Sequence, residues 1–599
     1  MRLKVIIFLI FLSYLLIIIK VYSLSVVSNK YYDTLANDNI HKKIYLKPTR
    51  GIIYDTNHIP IAYNELKFSM LLKPHLKDIE LNKTLNFINK NIDINKTKLY
   101  KIYKRQNSVY NHKYISILEY LDYNKTLSVI PILTQNPNIK IETDYLRTYP
   151  YHEKLSHILG YVGKANHTDI QRNPELRYIK ITGKNGIEKE YNKILTGKLG
   201  YKNVIVNARN QIVKEINETK PISSNITLNI NTQLQEYIYN LLKKENKKGS
   251  IIVMKTTGEI LAIVNYPSYD NNLFVKGISK ANWQKLIKDN FNPFLNKAVA
   301  GLYPAGSIIK PAEGLIAIAS GKLSPYDKLV CPGYIKVGKR KFRDWKPGGH
   351  GKVDVFKAIK RSVDVYFYKV GLLLGIDYIA KHLKKMGFGH KTGIDLPNER
   401  SGIIPDKTWK LKRYHQTWFI GETLNASIGQ GYVLVTPIQA AVNTALMATG
   451  KLPVPRIAKK IGNKTIKPIL KDVLSAKEKE LLPLIQKGMW EVCNAKKGTA
   501  TRHLEKLPFD IAGKTGTAQV HSIPQDVIKR KKEDELAYWK RSHAWLTTYG
   551  PYKNPQFVVT AMIEHGGHGG EAAGGIVSKI YKKLIQLHYI KNYTLKGTK

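Results

Sequence analysis

Three short peptides lie far apart in this chain, and a fold that serves them must bring all three together. They are Ser307-Ile308-Ile309-Lys310, Ser362-Val363-Asp364 and Lys514-Thr515-Gly516-Thr517. Ser307 is the only serine with a lysine at the third following position. If Pro304-Ala305-Gly306 leads into a helix near Ser307, Ser307 and Lys310 share one face. The serine then lies at a positive helix end, which favours developing negative charge. A serine hydroxyl is a poor nucleophile until a base takes its proton. A lysine can be that base only when uncharged, a state that burial and cationic neighbours promote. Taken singly, Ser-x-x-Lys is ordinarily a capping serine with a surface lysine, and Ser-x-Asp a helix cap. Order and combination give the set its weight.

Ser362 suits a proton relay between Lys310 and a departing amine. Asp364 suits accepting an amide N–H or orienting Lys310. Lys-Thr-Gly occurs twice, at Lys391-Thr392-Gly393 and at Lys514-Thr515-Gly516. The chemistry needs a lysine on a strand edge, with a glycine that lets a ligand backbone approach. The second copy has strand-like flanks in Ile511-Ala512-Gly513 and Thr517-Ala518-Gln519. The first runs from Gly387-Phe388-Gly389-His390 into Ile394-Asp395-Leu396-Pro397, a loop. Lys514 is therefore taken as the cation that stabilises anionic charge. Thr515 and Thr517 would bind a carboxylate, Gly516 would admit the substrate backbone, and the Thr517 and Ser307 N–H groups would form an oxyanion hole.

The 599 residues are too many for one core and predict two or three domains. The net charge of +51 is extreme. Lysine is spread along the whole chain and Ile, Asn and Tyr are also abundant, as an AT-rich genome would write. The remaining reading is attraction to a membrane or a wall polymer. No nucleic-acid module is seen, so no nucleic acid is expected as partner. Cys331 and Cys493 are no disulfide framework; two unpaired, buried thiols are expected.

Val5 to Ile19 is apolar and uncharged, and beyond Lys20 the run continues to Leu24. With Lys20 snorkelling, this approaches the ~20 residues that span a bilayer. Ser23-Leu24-Ser25 faintly imitates a signal-peptidase site, but an uncleaved anchor over residues 1–24 is preferred. No second apolar run of this length occurs, so the remainder should lie on one side of the membrane.

Past the anchor, Ile52-Ile53-Tyr54 and Ile61-Ala62-Tyr63 read as short strands joined by a turn at Asp55-Thr56-Asn57. Helical patches follow over 75–135. A helix is predicted from Gly186 through Leu195, and the polar stretch 214–225 reads as a linker. A second module opens with a helix over 232–244 and a hairpin around Thr257-Gly258-Glu259. It continues with an apolar helix over 307–320 and late strands at 510–518, 543–549 and 557–564. This pattern predicts an α+β fold with an antiparallel sheet covered by helices. His565 to Glu571 reads as a flexible loop beside the cleft rather than a metal site.

The three peptides match the S-x-x-K, serine-triplet and K-T-G set of penicillin-binding proteins. The chain resembles class B penicillin-binding proteins, nearest the penicillin-binding protein 2 branch that serves elongation, from the anchor almost to the C-terminus. Pro48-Thr49-Arg50-Gly51 with Asp55 and Asn57, Arg147-Thr148-Tyr149-Pro150 with His157-Ile158-Leu159-Gly160-Tyr161, and Gly183 with Gly186-Ile187-Glu188 resemble three N-terminal family motifs. Arg343-Asp344-Trp345, Gly349-His350-Gly351, Ile428-Gly429-Gln430-Gly431 and Gly498-Thr499-Ala500 add to the likeness. Ala305 and Ile308 depart from the usual proline and threonine. Asp364, where most of the superfamily has Asn, is usual in the elongation branch.

The resemblance implies an elongated pedestal (dimerisation) domain over 40–225 and a transpeptidase domain of the DD-peptidase/serine β-lactamase fold over 227–590. It implies D,D-transpeptidation of peptidoglycan stem peptides during wall elongation and rod-shape maintenance, through acyl-Ser307, with β-lactams as inhibitors. The implied location is the inner (cytoplasmic) membrane, single-pass, with the catalytic domain in the periplasm. A SEDS-family glycosyltransferase is the implied partner. No cofactor is expected. Some relatives hold zinc near the positions of Asp344 and His350, but Val363 stands where a cysteine ligand would be, so no metal is expected. A division-type class B transpeptidase, a D,D-carboxypeptidase, a β-lactamase and a non-enzymatic scaffold are the rival readings.

Overall fold

The computed structural model describes residues 2–28, 30–31, 34, 40–111, 113–207, 211–521, 527, 531–591 and 593. Packing divides the chain into two units that do not follow chain order. The first takes residues up to Gly51, Ala165–Ile181 and Lys193–Ser224; the second takes Ile52–Lys164, Thr182–Asn192 and everything from Asn225 onward.

The first unit opens with the apolar helix Arg2–Tyr22, which continues as one π turn, Ser23–Val27. None of these side chains is buried against protein. It is the one helix among the described residues long and apolar enough to cross a membrane. The unit also holds an antiparallel sheet in the order His41–Leu46, Gly200–Val206, Ile212–Thr219. The last strand lies where a linker was expected. Its eight residues are exposed on both faces, so no apolar alternation marks it. Polar cross-strand pairs accompany the ladder instead: Lys202 sits 3.2 Å from Glu215 and 3.4 Å from Glu218, and Asn203 donates to Asn217 at 2.8 Å.

In the second unit, a seven-stranded sheet joins early and late parts of the chain. Its order is Lys464–Thr465, Ala458–Ile461, Ile226–Leu228, Ile53–Tyr54, Pro60–Leu72, Ile115–Leu121, with Ile139–Thr148 also paired to Pro60–Leu72. The Asp55 turn forms as expected and does more than turn the chain. One Asp55 oxygen accepts the N–H groups of Asn57 and Ile59 at 2.8 and 2.9 Å; the other accepts the Thr232 hydroxyl at 2.8 Å. Asp55 is thereby tied to the start of the helix Thr232–Lys244. The helices Asp78–Asn91 and Lys96–Gln106 cover a separate small core built on Leu81, Leu85, Ile88, Leu99 and Tyr103. Two of the N-terminal motifs meet in a buried ion pair, Arg147 to Glu188 at 2.6 Å.

The second sheet is antiparallel, in the order Ile260–Tyr266, Gly249–Lys255, Phe557–Ile563, His543–Gly550, Ala512–Ala518. The predicted hairpin supplies the first two strands. Its strands are buried almost throughout rather than on alternate residues, which requires cover on both faces. The helices Thr232–Lys244, Pro437–Thr449 and Gly569–Gln586 pack on it. Thr232–Lys244 buries Leu234, Ile238, Leu241 and Leu242, the stripe that helical periodicity demands.

Two segments differ from expectation. The helix predicted from Gly186 through Leu195 breaks at Tyr191, whose hydroxyl turns to Asp395 at 2.8 Å. The expected loop 565–571 ends early, because the helix Gly569–Gln586 starts inside it. Glycine permits that start: a Cβ on Gly569 would lie 2.1 Å from the Trp545 carbonyl and 2.4 Å from that of Gly516.

Candidate active site

The strand Ala512–Ala518 is an edge of its sheet, so one side of its backbone is left for other groups. The turn that carries Ser307, Gly306–Ile309, is a 3-10 turn packed against that strand. Small residues let the two approach. A Cβ on Gly306 would lie 2.9 Å from the Thr517 carbonyl oxygen, and one on Gly516 would lie 2.9 Å from Ile308 Cγ2. Gly306 has φ 52°, and its N–H donates to the Gly429 carbonyl at 2.8 Å. The α-helix proper starts only at Lys310, with Pro311 in its first turn, where a missing N–H costs nothing. Ser307 is half-buried; Lys310 is fully buried.

Ser362 closes the helix Val355–Arg361 in a left-handed conformation, φ 54° and ψ 44°, just before the helix Asp364–Leu374 begins. For a non-glycine residue this costs roughly 1–2 kcal/mol. Its hydroxyl stands between two buried amines. Lys310 Nζ donates to Asp364 Oδ1 at 2.6 Å and to the Ser362 carbonyl at 3.0 Å, and lies 3.5 Å from Ser362 Oγ. Lys514 Nζ lies 2.9 Å from the same Oγ and 2.9 Å from the Thr515 carbonyl. The structure thus brings Lys310, Ser362, Asp364 and Lys514 into one cluster, beside the turn that bears Ser307.

The two lysines differ in charge environment, and not as expected. Lys310, read from sequence as the uncharged amine, is in an ion pair with Asp364. Lys514, read as the cation, has a hydroxyl and a carbonyl as its hydrogen-bond partners. Burial, reinforced by the charge of Lys310, holds the Lys514 amine well below the ordinary lysine range; the opposing pull of Asp364 is weaker. Sequence could not show this, because Asp364 reaches Lys310 only through the fold.

Thr515 is buried and Thr517 half-buried. The Thr515 hydroxyl meets that of Thr499 at 2.6 Å, and Gln430 donates to the Thr517 carbonyl at 3.4 Å. Asp344 serves the backbone around the cluster. One of its oxygens accepts the Val365 N–H at 3.0 Å; the other accepts the Lys346 N–H at 3.1 Å and lies 3.2 Å from His350 Nε2. The neighbouring Trp345 N–H donates to Asp364 Oδ2 at 3.1 Å. Among the described residues no three His, Cys, Asp or Glu side chains are grouped as metal ligands. Cys331 and Cys493 are free and buried, as expected.

The sequence of residues 249–586 matches the family model of the penicillin binding protein transpeptidase domain, and residues 45–228 match that of the penicillin-binding protein dimerisation domain. The chain belongs to the penicillin-binding protein transpeptidase family. It is 34% identical over 581 residues to the peptidoglycan D,D-transpeptidase MrdA of Haemophilus influenzae, covering 94% of this chain and 88% of that protein. A solved complex between penicillin-binding protein PBP2 and MreC from Helicobacter pylori matches with TM-score 0.85 and 42% identity, over 92% of this chain and 100% of that one. A chain from a peptidoglycan synthase complex that coordinates polymerization and crosslinking matches with TM-score 0.69 and 26% identity, over 97% of each chain.

Within this family member, sequence reasoning passed over four groups near the cluster. Thr499 had been noted only for likeness; its bond to Thr515 depends on a turn after the helix Ala476–Asn494. Trp345 acts through its backbone, which no side-chain pattern reveals. Cys493 lies close enough to act electrostatically on Lys514. Glu313, one helical turn beyond Lys310, is fully buried, and neither carboxyl oxygen has a partner. Burial pushes it well above the ordinary carboxylate range, against the pull of Lys310, so it is a neutral acid. An acidic residue in an otherwise apolar helix, Lys310–Ala319, was the signal available.

Proposed function

We propose that this chain is the D,D-transpeptidase that cross-links peptidoglycan stem peptides during wall elongation, through an acyl-Ser307 intermediate. The observation that carries the reading is the Ser362 hydroxyl, 2.9 Å from Lys514 Nζ and 3.5 Å from Lys310 Nζ, beside the Ser307 turn. The donor stem peptide lies along the free edge of Ala512–Ala518, as an added strand would. Its terminal carboxylate meets Thr515, Thr517 and Lys514, and Gly516 admits its backbone. Ser307 Oγ attacks the penultimate D-Ala carbonyl, and the oxyanion is held by the Ser307 and Thr517 N–H groups. The Ser307 proton passes by way of Lys310 and Ser362 to the departing D-Ala nitrogen. An amine of a second stem peptide then resolves the ester. Asp364 fixes the Lys310 amine at its post. β-Lactams acylate the same hydroxyl, because their strained amide imitates the donor.

The functional division is an anchor over 1–24, a pedestal over 40–225 and a transpeptidase domain over 227–590. The apolar helix holds the chain to the cytoplasmic membrane by a single pass, with Ser307 on the periplasmic side. A SEDS-family polymerase and an MreC-like protein are its partners, as the synthase complex and the Helicobacter complex suggest. A fluorescent penicillin should label the wild type covalently and fail to label Ser307→Ala, read by gel and by peptide mass. Equal labelling of both would refute the assignment.

A further inference from the structure

The amine of Lys514 is buried without a carboxylate beside it, although the family reaction brings a carboxylate to this strand. We propose that anion binding here is proton-coupled: Lys514 is uncharged in the free protein and takes up one proton when a carboxylate-bearing donor or β-lactam occupies the site. The inference rests on the reading of the site given above.

The geometry argues it in two steps. In the free protein, Lys514 is wholly buried, and its hydrogen bonds are to Ser362 Oγ and the Thr515 carbonyl, both at 2.9 Å. The nearby carboxylate, Asp364, is already paired to Lys310 at 2.6 Å. A second ammonium in this pocket would be desolvated, unpaired and next to a like charge, so the neutral amine is favoured. The direction of the Lys514 titration agrees. In the complex, the ligand carboxylate supplies the missing counter-charge between Thr515, Thr517 and the amine. The ammonium is then the favoured form, and its proton comes from solvent.

Other titratable groups around the strand do not mimic the effect. Cys493 comes from the helix Ala476–Asn494 and His543 lies opposite Ala518 at the far end of the partner strand. His568 and Glu571, at the start of Gly569–Gln586, are exposed. Lys310 and Asp364 keep their pairing before and after acylation.

Opening a β-lactam by serine is itself proton-neutral. The Oγ–H bond breaks, the O–C bond forms, the C–N bond breaks, and the hydrogen ends on the lactam nitrogen. Any net uptake therefore reports a change of charge on the protein. The experiment mixes the full-length protein with benzylpenicillin in weak buffer at about pH 8, above the depressed lysine range and below the ordinary one. An indicator dye counts protons, and intact mass counts acyl-enzyme. One proton per acyl-enzyme is expected, and Lys514→Arg, whose guanidinium is charged at all working pH, should acylate without uptake. Acylation of the wild type with no uptake would overturn the inference alone. Absence of acylation would overturn the underlying reading and the inference with it. If Lys514→Arg does not fold, repeating the wild-type titration at successively lower pH replaces it. Uptake must then fall toward zero as the free Lys514 becomes charged, and uptake independent of pH would overturn the assignment to this lysine.

Discussion

The tripeptide Lys-Thr-Gly stands twice in this protein, and the two copies have become different objects. At Lys391 the segment is a loop wrapped around a carboxylate. Glu399 accepts the Thr392 N–H and hydroxyl at 2.6 Å each, and the Gly393 N–H at 3.1 Å. The Lys391 side chain is left exposed. At Lys514 the segment is a strand paired along its whole length with His543–Gly550. Its lysine is buried in the reactive cluster, and its threonine is hydrogen-bonded to Thr499. In the first copy, backbone and hydroxyl groups are consumed in holding a turn. In the second, the sheet satisfies one edge and leaves the other for a substrate. The identity of three residues carries little chemistry until their neighbours decide which groups remain available.

The largest expected contrast comes from deleting each amine. Lys514→Ala should slow acylation by a fluorescent penicillin by about 100- to 1,000-fold, the range for losing one group that stabilises developing charge. Lys391→Ala should leave that rate within about twofold, since surface changes away from special features are near neutral. A loss on the Lys391 side would break the comparison outright. Next in size, Thr515→Val should cost about tenfold in acylation, about 1.4 kcal/mol in transition-state binding. Thr392→Val should leave the rate alone and instead lower the melting temperature.

Glu399→Gln sharpens the structural side. It removes the charge that three donors share, and should destabilise the protein by about 1–3 kcal/mol with acylation intact, measured by denaturant unfolding. A smaller effect of opposite sign is expected for Glu313→Met. Replacing a buried, unpartnered acid by an apolar side chain of similar size should raise stability by about 1 kcal/mol. A fall in stability would show that the carboxyl has a partner in the protein.

Local pattern was enough for much of the fold. The helix Thr232–Lys244, the hairpin 249–266 and the late strands announce themselves through periodicity and turn residues. The strand Ile212–Thr219 does not, because an edge exposed on both faces lacks the alternation that burial writes into a sequence. Nor does the pairing of Ile226 with Ile53, which joins residues far apart in the chain through a parallel contact that no local signal encodes. In the candidate site, Ser307, Lys310, Ser362 and Lys514 could be named from residue type and order. The left-handed Ser362 and the Trp345 N–H at Asp364 could not, since one is a backbone conformation and the other a backbone donor.

Composition and motif order thus determined which side chains are present and which family builds with them: a serine, two lysines, a second hydroxyl and an acid. The tertiary structure decided which lysine is paired and which is bare. That choice depends on how far each amine is from water and on where the Asp364 carboxylate ends up. Both are distances across the fold, and a proton follows such distances, not the order of residues along the chain.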